Sequence, residues 1–548
     1  MMKKLYTIAV MMVAAMPLAA QETYENAKIA TEDLNGTARY VGMGGALEAL
    51  GADISTIGSN PAGIGVFRKS NVSVSFGLNT QEGVSNVVGG TKTNASFDQI
   101  GIVISSRVNK TSFVNVGFNF HKSRNFDQIL SAADNLDNAS LNKLTYAKAK
   151  VGLLYEEKYD ETAQKYVPDF NRPYFSCNQI DDILSYGGMN YDTDTKQWSY
   201  LNGDKYQFDR SHTGYVGEYD FNVSGNINNR VYLGLTVGIH DVHYKHYSEY
   251  SERLPIYNGQ NVDHYEGLTV ADDREITGTG FDVKFGVILR PVEASPFRVG
   301  LYVHTPTFYE LRTKNYTFIT DGEATVTSRQ IYDASPRTNY KFRLYTPWKF
   351  GLSLGHTFGT QLALGATYEY ADYGSMDTRI IGDEYYDDWY GTYRTNSNSD
   401  KQMNSHTSKT LKGVHTLKLG AELKPEPAMA IRLGYNYVSP MYQADGFKGG
   451  FIDSDGSDII IDTDGSYISS ATDYVNWKGT HRITCGFGYT IDKFNISAAY
   501  QYSINKGEFL PFMSYVDGFG QPADDNIVDP VKVNNKRHQI LLTLGYSF

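Results

Sequence analysis

The chain has 548 residues and is rich in Tyr (43), Phe (27) and Gly (52), with only 16 prolines and two cysteines. Abundant aromatics and glycine with little proline suit long strands joined by loops and exclude a helical bundle. The formal charge of −11, or −13 without Lys3 and Lys4, leaves no basic footprint for nucleic acid. Cys177 and Cys485 form no disulfide framework.

The first element is a signal peptide. Lys3 and Lys4 are its charged region, Leu5 to Ala15 its apolar run, and small residues Ala19 and Ala20 precede an expected cleavage after Ala20. The run is too short to span a bilayer as a helix. No later stretch reaches eighteen apolar residues, so export does not end in a helical membrane protein. A mean hydropathy of −0.40 looks soluble. A transmembrane barrel averages to the same value, because only alternate residues face lipid.

Residues 21–66 follow, without period-two alternation. They hold the small-residue runs Gly36–Ala46 and Ala52–Gly63, which include Asn60, Pro61 and Ala62. These glycines lack the strand and the spacing of a dinucleotide site. Small residues and turn formers suit a compact, irregular segment packed closely on other backbone.

From residue 67 onwards, apolar residues recur with period two. In chain order the apolar faces are Val72–Leu78, Ile100–Ile104, Val114–Phe120, Tyr215–Val223, Val231–Ile239, Phe281–Leu289 and Phe297–Val303. They continue with Trp348–Leu354, Leu362–Tyr370, Leu417–Leu423, Met429–Tyr437, Ile483–Tyr489, Phe494–Tyr502 and Ile540–Phe548. Short links (such as 109–110, 228–229, 359–360 and 492–493) alternate with long ones, roughly 81–96, 123–212, 248–275, 313–339, 376–410, 442–477 and 508–532. A β-sandwich would alternate in hydropathy, but its loops would not sort into two lengths. The pattern predicts an all-β fold. It is a transmembrane antiparallel β-barrel of about fourteen strands, with tight periplasmic turns and long outer loops. Tyrosines at strand ends are placed for the bilayer interface. The terminal Phe548 on an apolar face resembles the signal read by the barrel assembly machinery.

The segment 21–66 resembles the N-terminal hatch of the long-chain fatty acid transporter family of outer-membrane proteins, the FadL/TodX type. Asn60-Pro61-Ala62 is the most specific piece. Tyr345–Gly351, Thr416–Gly420, Arg432–Tyr437 and the strand His481–Tyr489 also look like that family. The likeness covers most strands and omits the outer loops. It implies a signal peptide at 1–20, a hatch at 21–66 plugging the lumen, and a barrel over 67–548. It implies passive uptake of long-chain fatty acids or similar apolar compounds across the outer membrane of a Gram-negative bacterium. It also implies a gating role for Asn60, Pro61 and Ala62, and an opening in the wall at a kinked third strand. Gly117, mid-strand, is the candidate for that opening. Expected partners are outer-membrane lipid and lipopolysaccharide, a hydrophobic small molecule, and the assembly machinery. The protein is expected to be a monomer, without cofactor or metal and without enzymatic activity.

Other features carry other readings. His240 and His246 share a strand face while His243 points away, so one mononuclear site cannot hold all three. Asp453, Asp455, Asp458, Asp462 and Asp464 lack the full calcium-loop pattern and read as a solvated acidic loop. An outer-membrane lipid hydrolase is a rival class, but no G-x-S-x-G turn is present. A surface receptor or adhesin, with haem as one ligand, would act through the largest loop, 123–212, where a short helix is expected near Asn142 to Tyr155.

Overall fold

The computed structural model describes residues 22–548 except 151–154, 163, 174–188, 193, 321–324, 328–338, 388–391, 449–450, 453–458, 461–472 and 515–524. The signal peptide, Cys177, and the acidic positions Asp453 to Asp464 lie outside the described residues.

Fourteen antiparallel strands form one closed cylinder. Strands 1 to 6 are Asn71–Glu82, Thr93–Arg107, Phe113–Asn125 (continued by Gln128–Asn135), Lys205–Ile227, Val231–Asn258 and Asn261–Leu289. Strand 7 is Arg298–His304 with Phe308–Thr320, strand 8 is Asn339–Tyr345 with Lys349–Phe358, and strand 9 is Leu362–Asp372 with Asp377–Asp387. Strand 10 combines Thr392–Ser399 with Gly413–Glu426. Strands 11 to 14 are Met429–Val438, Tyr474–Ile491, Phe494–Leu510 and Val531–Ser547. Strand 1 pairs with strand 14 from Asn71↔Ser547 to Glu82↔Lys536, which closes the cylinder and leaves no free edge.

The side chains are inverted relative to a soluble protein. On strand 5, Leu233, Leu235, Val237 and Ile239 are exposed while Thr236 and His240 are buried. Strand 12 exposes Ile483 and Phe487 and buries Arg482 and Thr484; strand 14 exposes Ile540, Leu542 and Leu544 and buries Gln539 and Thr543. Apolar outside and polar inside is the order required when the surrounding solvent is hydrocarbon. The chain therefore spans a membrane with its strands. Tight turns close one end: Asn228 and Asn229 both take φ of 53°, the left-handed pair that a two-residue hairpin favours.

At the other end aromatic residues ring the cylinder. The Tyr368 hydroxyl meets His415 Nδ1 at 2.6 Å, Tyr435 meets His481 at 2.8 Å, and Tyr500 meets His538 at 2.7 Å. In each case a second tyrosine, Tyr370, Tyr437 or Tyr502, faces the histidine across the ladder. Rings with polar tips belong at the headgroup level.

One expected loop is not a loop. Strands 5 and 6 continue through 248–275 and pair as far as Asn258↔Asn261, turning at Gly259 with φ of 66°. The alternation persists there, but its sign reverses. Beyond Ile239 the outward residues are Asp241, His243, Lys245 and Glu249, and the buried ones include Val242, Tyr244, Tyr250 and Leu254. Polar-out alternation is that of a strand surrounded by water. The reversal marks where the wall leaves the bilayer.

Outside the membrane the wall carries a second core. Leu130, Leu136, Leu141, Leu144, Phe208, Tyr250, Leu254, Leu268, Phe509 and Phe512 pack together. The helix Leu141–Lys150, within the segment where a short helix was expected, contributes to it. Its first turn is held by Glu252, which accepts from Leu141 N at 2.6 Å, Ser140 Oγ at 2.8 Å and Tyr250 Oη at 2.5 Å. Burial pushes the Glu252 carboxyl up, and these three bonds pull it back. Hydrogen bonds to a charged group are worth about 1.5–3 kcal/mol each. Glu252→Ala is therefore expected to release this helix, so that trypsin cuts at Lys143 under conditions that leave the wild type intact. An unchanged digest would refute the anchoring role.

Candidate substrate cavity and the segment that fills the lumen

Residues 22–66 lie inside the cylinder, against inward-facing positions on nearly every strand. The helix Thr23–Ala30 comes first, then a one-turn helix Ala38–Gly42 capped by Thr37, and two short 3-10 turns, Ile54–Gly58 and Pro61–Val66. Asp53 caps the first of these turns and Asn60 the second. The side chains on this segment are small, so its backbone can approach the wall.

The wall answers with glycine. Gly355, Gly365, Gly420 and Gly434 stand opposite one another across strands 8, 9, 10 and 11. A Cβ at Gly365 would collide with the Ala46 carbonyl, one at Gly420 with that of Met43, and one at Gly434 with the Gly44 nitrogen. A second pair, Gly234 and Gly286, faces Asn60 and Pro61. These positions form shelves on which the inner segment rests.

Buried ion pairs fix it further. Glu48, fully buried, accepts from Lys418 Nζ at 2.9 Å, Tyr40 Oη at 3.1 Å and Thr367 Oγ1 at 2.8 Å. Arg39 pairs with Glu422 at 3.0 Å. Arg274, with no exposed surface, reaches Glu22 at 3.1 Å and Glu25 at 3.4 Å and so holds the first helix.

Between this segment and strands 1 to 4 and 7 to 14 lies a cavity of ≈ 270 Å³. Phe126, Val414, Met441, Tyr442 and Trp477 give it an apolar side. The opposite character comes from charge. Lys28, Arg124, Lys349, Lys418, Lys478, Arg482 and Arg537 line it, against the four carboxylates of Glu32, Asp33, Asp98 and Glu369. The cationic side has a local cause: the guanidinium groups of Arg124, Arg482 and Arg537 all act on Asp33, and Arg537 acts also on Asp127. Asp33 accepts from Arg124 Nη1 at 3.0 Å and lies 3.5 Å from Arg482 Nη2. Burial would raise the Asp33 pKa, but Arg124, Arg537 and Arg482 hold it below the usual carboxylate value. Asp33 thus stays charged and neutralises only one of the three. The cavity can accept a second anion whose remainder is apolar.

The residues singled out from sequence lie elsewhere. Asn60, Pro61 and Ala62 are buried and do not line the cavity, although Gly58 and Ser59 just before them do. Asn60 Nδ2 donates to the Glu48 carbonyl at 3.0 Å, and its Oδ1 accepts from Ala62 N at 3.2 Å. Gly117 sits in unbroken pairing, opposite Val103 and Asn222, with Ile57 and Ile64 of the inner segment above it. The irregularity in strand 3 lies beyond it, where the register shifts between Lys122 and Arg124. There the Ser123 carbonyl, lost to the ladder, accepts from Asp33 N at 2.7 Å. A second interruption spans strands 7 and 8 at Pro306 and Pro347, which cannot donate to the ladder. Phe548 is exposed at the tight-turn end, its amide donating to the Ser70 carbonyl at 3.0 Å. His240 and His246 point inward and His243 outward, as the strand period requires. Cys485 faces outward as a free thiol.

No protein-family model and no curated protein sequence matches this chain. Among solved structures it is similar to a Pseudomonas aeruginosa FadL homologue, at 13% identity and a TM-score of 0.48 over 95% of this chain and 100% of the other. It is also similar to the toluene transporters TodX of P. putida (11% identity, TM-score 0.46, 94% and 99% covered) and TbuX of Ralstonia pickettii (10%, 0.44, 94% and 99%). At such values the superpositions carry no argument, and the reading rests on this chain's own barrel, filled lumen and cavity.

Proposed function

We propose that the protein is an outer-membrane channel for uptake of hydrophobic small molecules, and that its preferred substrates are amphipathic acids such as long-chain fatty acids. The observation that carries this reading is the group Arg124, Arg482 and Arg537 around Asp33 in the wall of a cavity that Phe126, Val414, Met441, Tyr442 and Trp477 also line. An open porin lumen would offer an apolar chain only water. Here each Å² of apolar surface removed from water favours entry by about 25 cal/mol. A carboxylate on that chain finds guanidinium donors suited to bidentate pairing. Neutral hydrocarbons would gain the first contribution and lack the second.

Passage then requires the inner segment to move. Residues 21–66 act in this reading as a hatch, with Asn60, Pro61 and Ala62 as its stiff corner, since Pro61 fixes φ and the Asn60 side chain closes the turn. Of the wall sites, the break at Ser123 borders the cavity more closely than Gly117 and is the better exit, because a lost ladder bond there is already replaced by the hatch.

The test is uptake of a labelled long-chain fatty acid and of a labelled monoaromatic hydrocarbon by cells with and without the protein. Fatty acid uptake should depend on the protein. Arg537→Ala, which removes the guanidinium that makes no hydrogen bond among the described residues, should lower it about tenfold, the worth of one charge-assisted bond. Hydrocarbon uptake should change little. Equal fatty acid uptake with and without the protein would overturn the transport reading. An Arg537→Ala variant that takes up both substrates like wild type would overturn the preference for acids.

A further inference from the structure

Strands 3, 4, 5 and 6 bring a second charged cluster together in the lumen wall, outside the cavity's arginine group: His121, Glu218, Asp220, His240, Asp282 and Lys284. All but His121 are buried to within a few per cent. With all three carboxylates ionised and the histidines neutral, one ammonium leaves two negative charges in a closed space, and an uncompensated buried charge is costly.

The carboxylates divide their oxygens between two points. Lys284 Nζ pairs with Glu218 Oε1, lies 3.0 Å from Asp220 Oδ1, and 3.5 Å from Asp282 Oδ1. The other oxygens turn to the opposite side. Glu218 Oε2 lies 3.7 Å from His121 Nε2 and 3.8 Å from His240 Nδ1, and Asp220 Oδ2 lies 3.6 Å from His121 Nδ1. These separations are too long for hydrogen bonds. Among the described residues no hydrogen bond reaches Asp220 Oδ2, nor either nitrogen of the His240 ring, although Nε2 lies 3.4 Å from Asp282 Oδ2. Asn119 Nδ2 approaches His121 Nδ1 at 3.3 Å, a contact that a ligand on that nitrogen would replace.

Donor atoms of His121, Glu218 and Asp220 gather within 4.8 Å of one another. Two donors each 2.0–2.2 Å from a tetrahedral zinc ion stand about 3.4 Å apart. The atoms here stand up to 4.8 Å apart, and His121 turns one ring nitrogen to Glu218 and the other to Asp220, so an ion held through one nitrogen must draw the remaining ligand inward. One imidazole and two carboxylates are a borderline-hard donor set suited to zinc, and a divalent charge equals the surplus left by Lys284. The point is covered from the lumen by Gly58 of the inner segment, where a Cβ would lie 3.1 Å from His121 Cε1 and 3.3 Å from Asp220 Oδ2.

We propose that His121, Glu218 and Asp220, with His240 beside them, form a binding site for a divalent transition-metal ion of the zinc class. The ion ties strands 3 and 4 together directly beneath Gly58. It neutralises the wall where the inner segment rests and stiffens that contact.

The experiment uses the full barrel in detergent, purified by a tag without histidines, stripped with chelator, loaded with zinc chloride and desalted. Wild type should retain about one zinc per chain, with N/O ligands near 2.0–2.1 Å by X-ray absorption. It should also unfold at a higher temperature with zinc than without. His121→Gln and Asp220→Asn should each abolish both retention and the thermal shift. His264→Gln, at an exposed turn beside Asp263 and Glu266, should abolish neither. Should Asp220→Asn fail to fold, His121→Gln decides alone. A stripped wild type that retains no zinc, or a His121→Gln variant that retains as much as wild type, would overturn the assignment and leave the balancing charge to protonated imidazoles.

Discussion

Gly434→Leu is expected to unseat the inner segment while leaving the cylinder closed. The new side chain would occupy the space of the Met43–Gly44 backbone. The Thr484 hydroxyl beside it can turn away, but the Gly44 backbone cannot, since it has φ of 63° and lies close against the wall at Tyr435 and Leu419. Overpacking of this kind costs about 1–3 kcal/mol. Since the ladder of strand 11 needs no change at Gly434, that cost falls on docking of residues 42–46 and not on barrel closure. It corresponds to a shift of roughly 10–100-fold between docked and undocked states. In planar bilayers, wild type should pass little ion current, and Gly434→Leu should pass a sustained one. Heat-modifiable migration on gels should show the cylinder still folded. Identical currents would mean that the glycine row does not seat the segment.

Lys418→Met should produce the largest loss of stability. It removes the only cation within 4.0 Å of Glu48 among the described residues, and with it a contact to Glu369 at 3.6 Å. Glu48 stays fully buried with only the hydroxyls of Tyr40 and Thr367 as side-chain donors among the described residues. Breaking a buried pair by removing one partner costs about 3–5 kcal/mol. Removing both charges costs far less, so Lys418→Met combined with Glu48→Gln should recover a large part of the loss. Chemical unfolding in lipid vesicles reads both. A single variant within about 1 kcal/mol of wild type would show that Glu48 finds another counter-charge.

Much of the cylinder could be read from the residues alone, because a membrane wall obeys two simple periodicities. Side chains alternate in polarity, and connections alternate in length. That was enough to count fourteen strands and to place the tight turns, such as Asn228–Asn229 and Asp492–Lys493. The reading failed where the solvent changes. A hydrophobic pattern followed on one face from Leu233 to Ile239 stops at Asp241, yet strand 5 runs on to Asn258 with its polarity exchanged. Following apolar residues on either face, not one face only, would have found it. The charged clusters were legible only in part. Glu218 and Asp220 were visible as the face opposite Tyr219 and Phe221, but nothing local ties them to His121 or Lys284. Asp33 and Arg124 come from the N-terminal part of the chain and Arg482 and Arg537 from strands 12 and 14, and they meet because strand 1 closes on strand 14. The glycine shelves were equally hidden. A glycine in a strand signals close approach without saying by what.

The height of strands 5 and 6 bears on how cargo arrives. From Asp241 to Asn258 the strand runs for about 60 Å of contour at 3.4 Å per residue, and at a tilt of about 40° it rises some 45 Å. In the proposed uptake role, a hairpin of that stature would reach beyond the sugars of an outer membrane. Molecules dissolved among the neighbouring lipids would have to climb to reach it. Deliveries should come instead from the surrounding fluid, from micelles or from a carrier that docks on the rim.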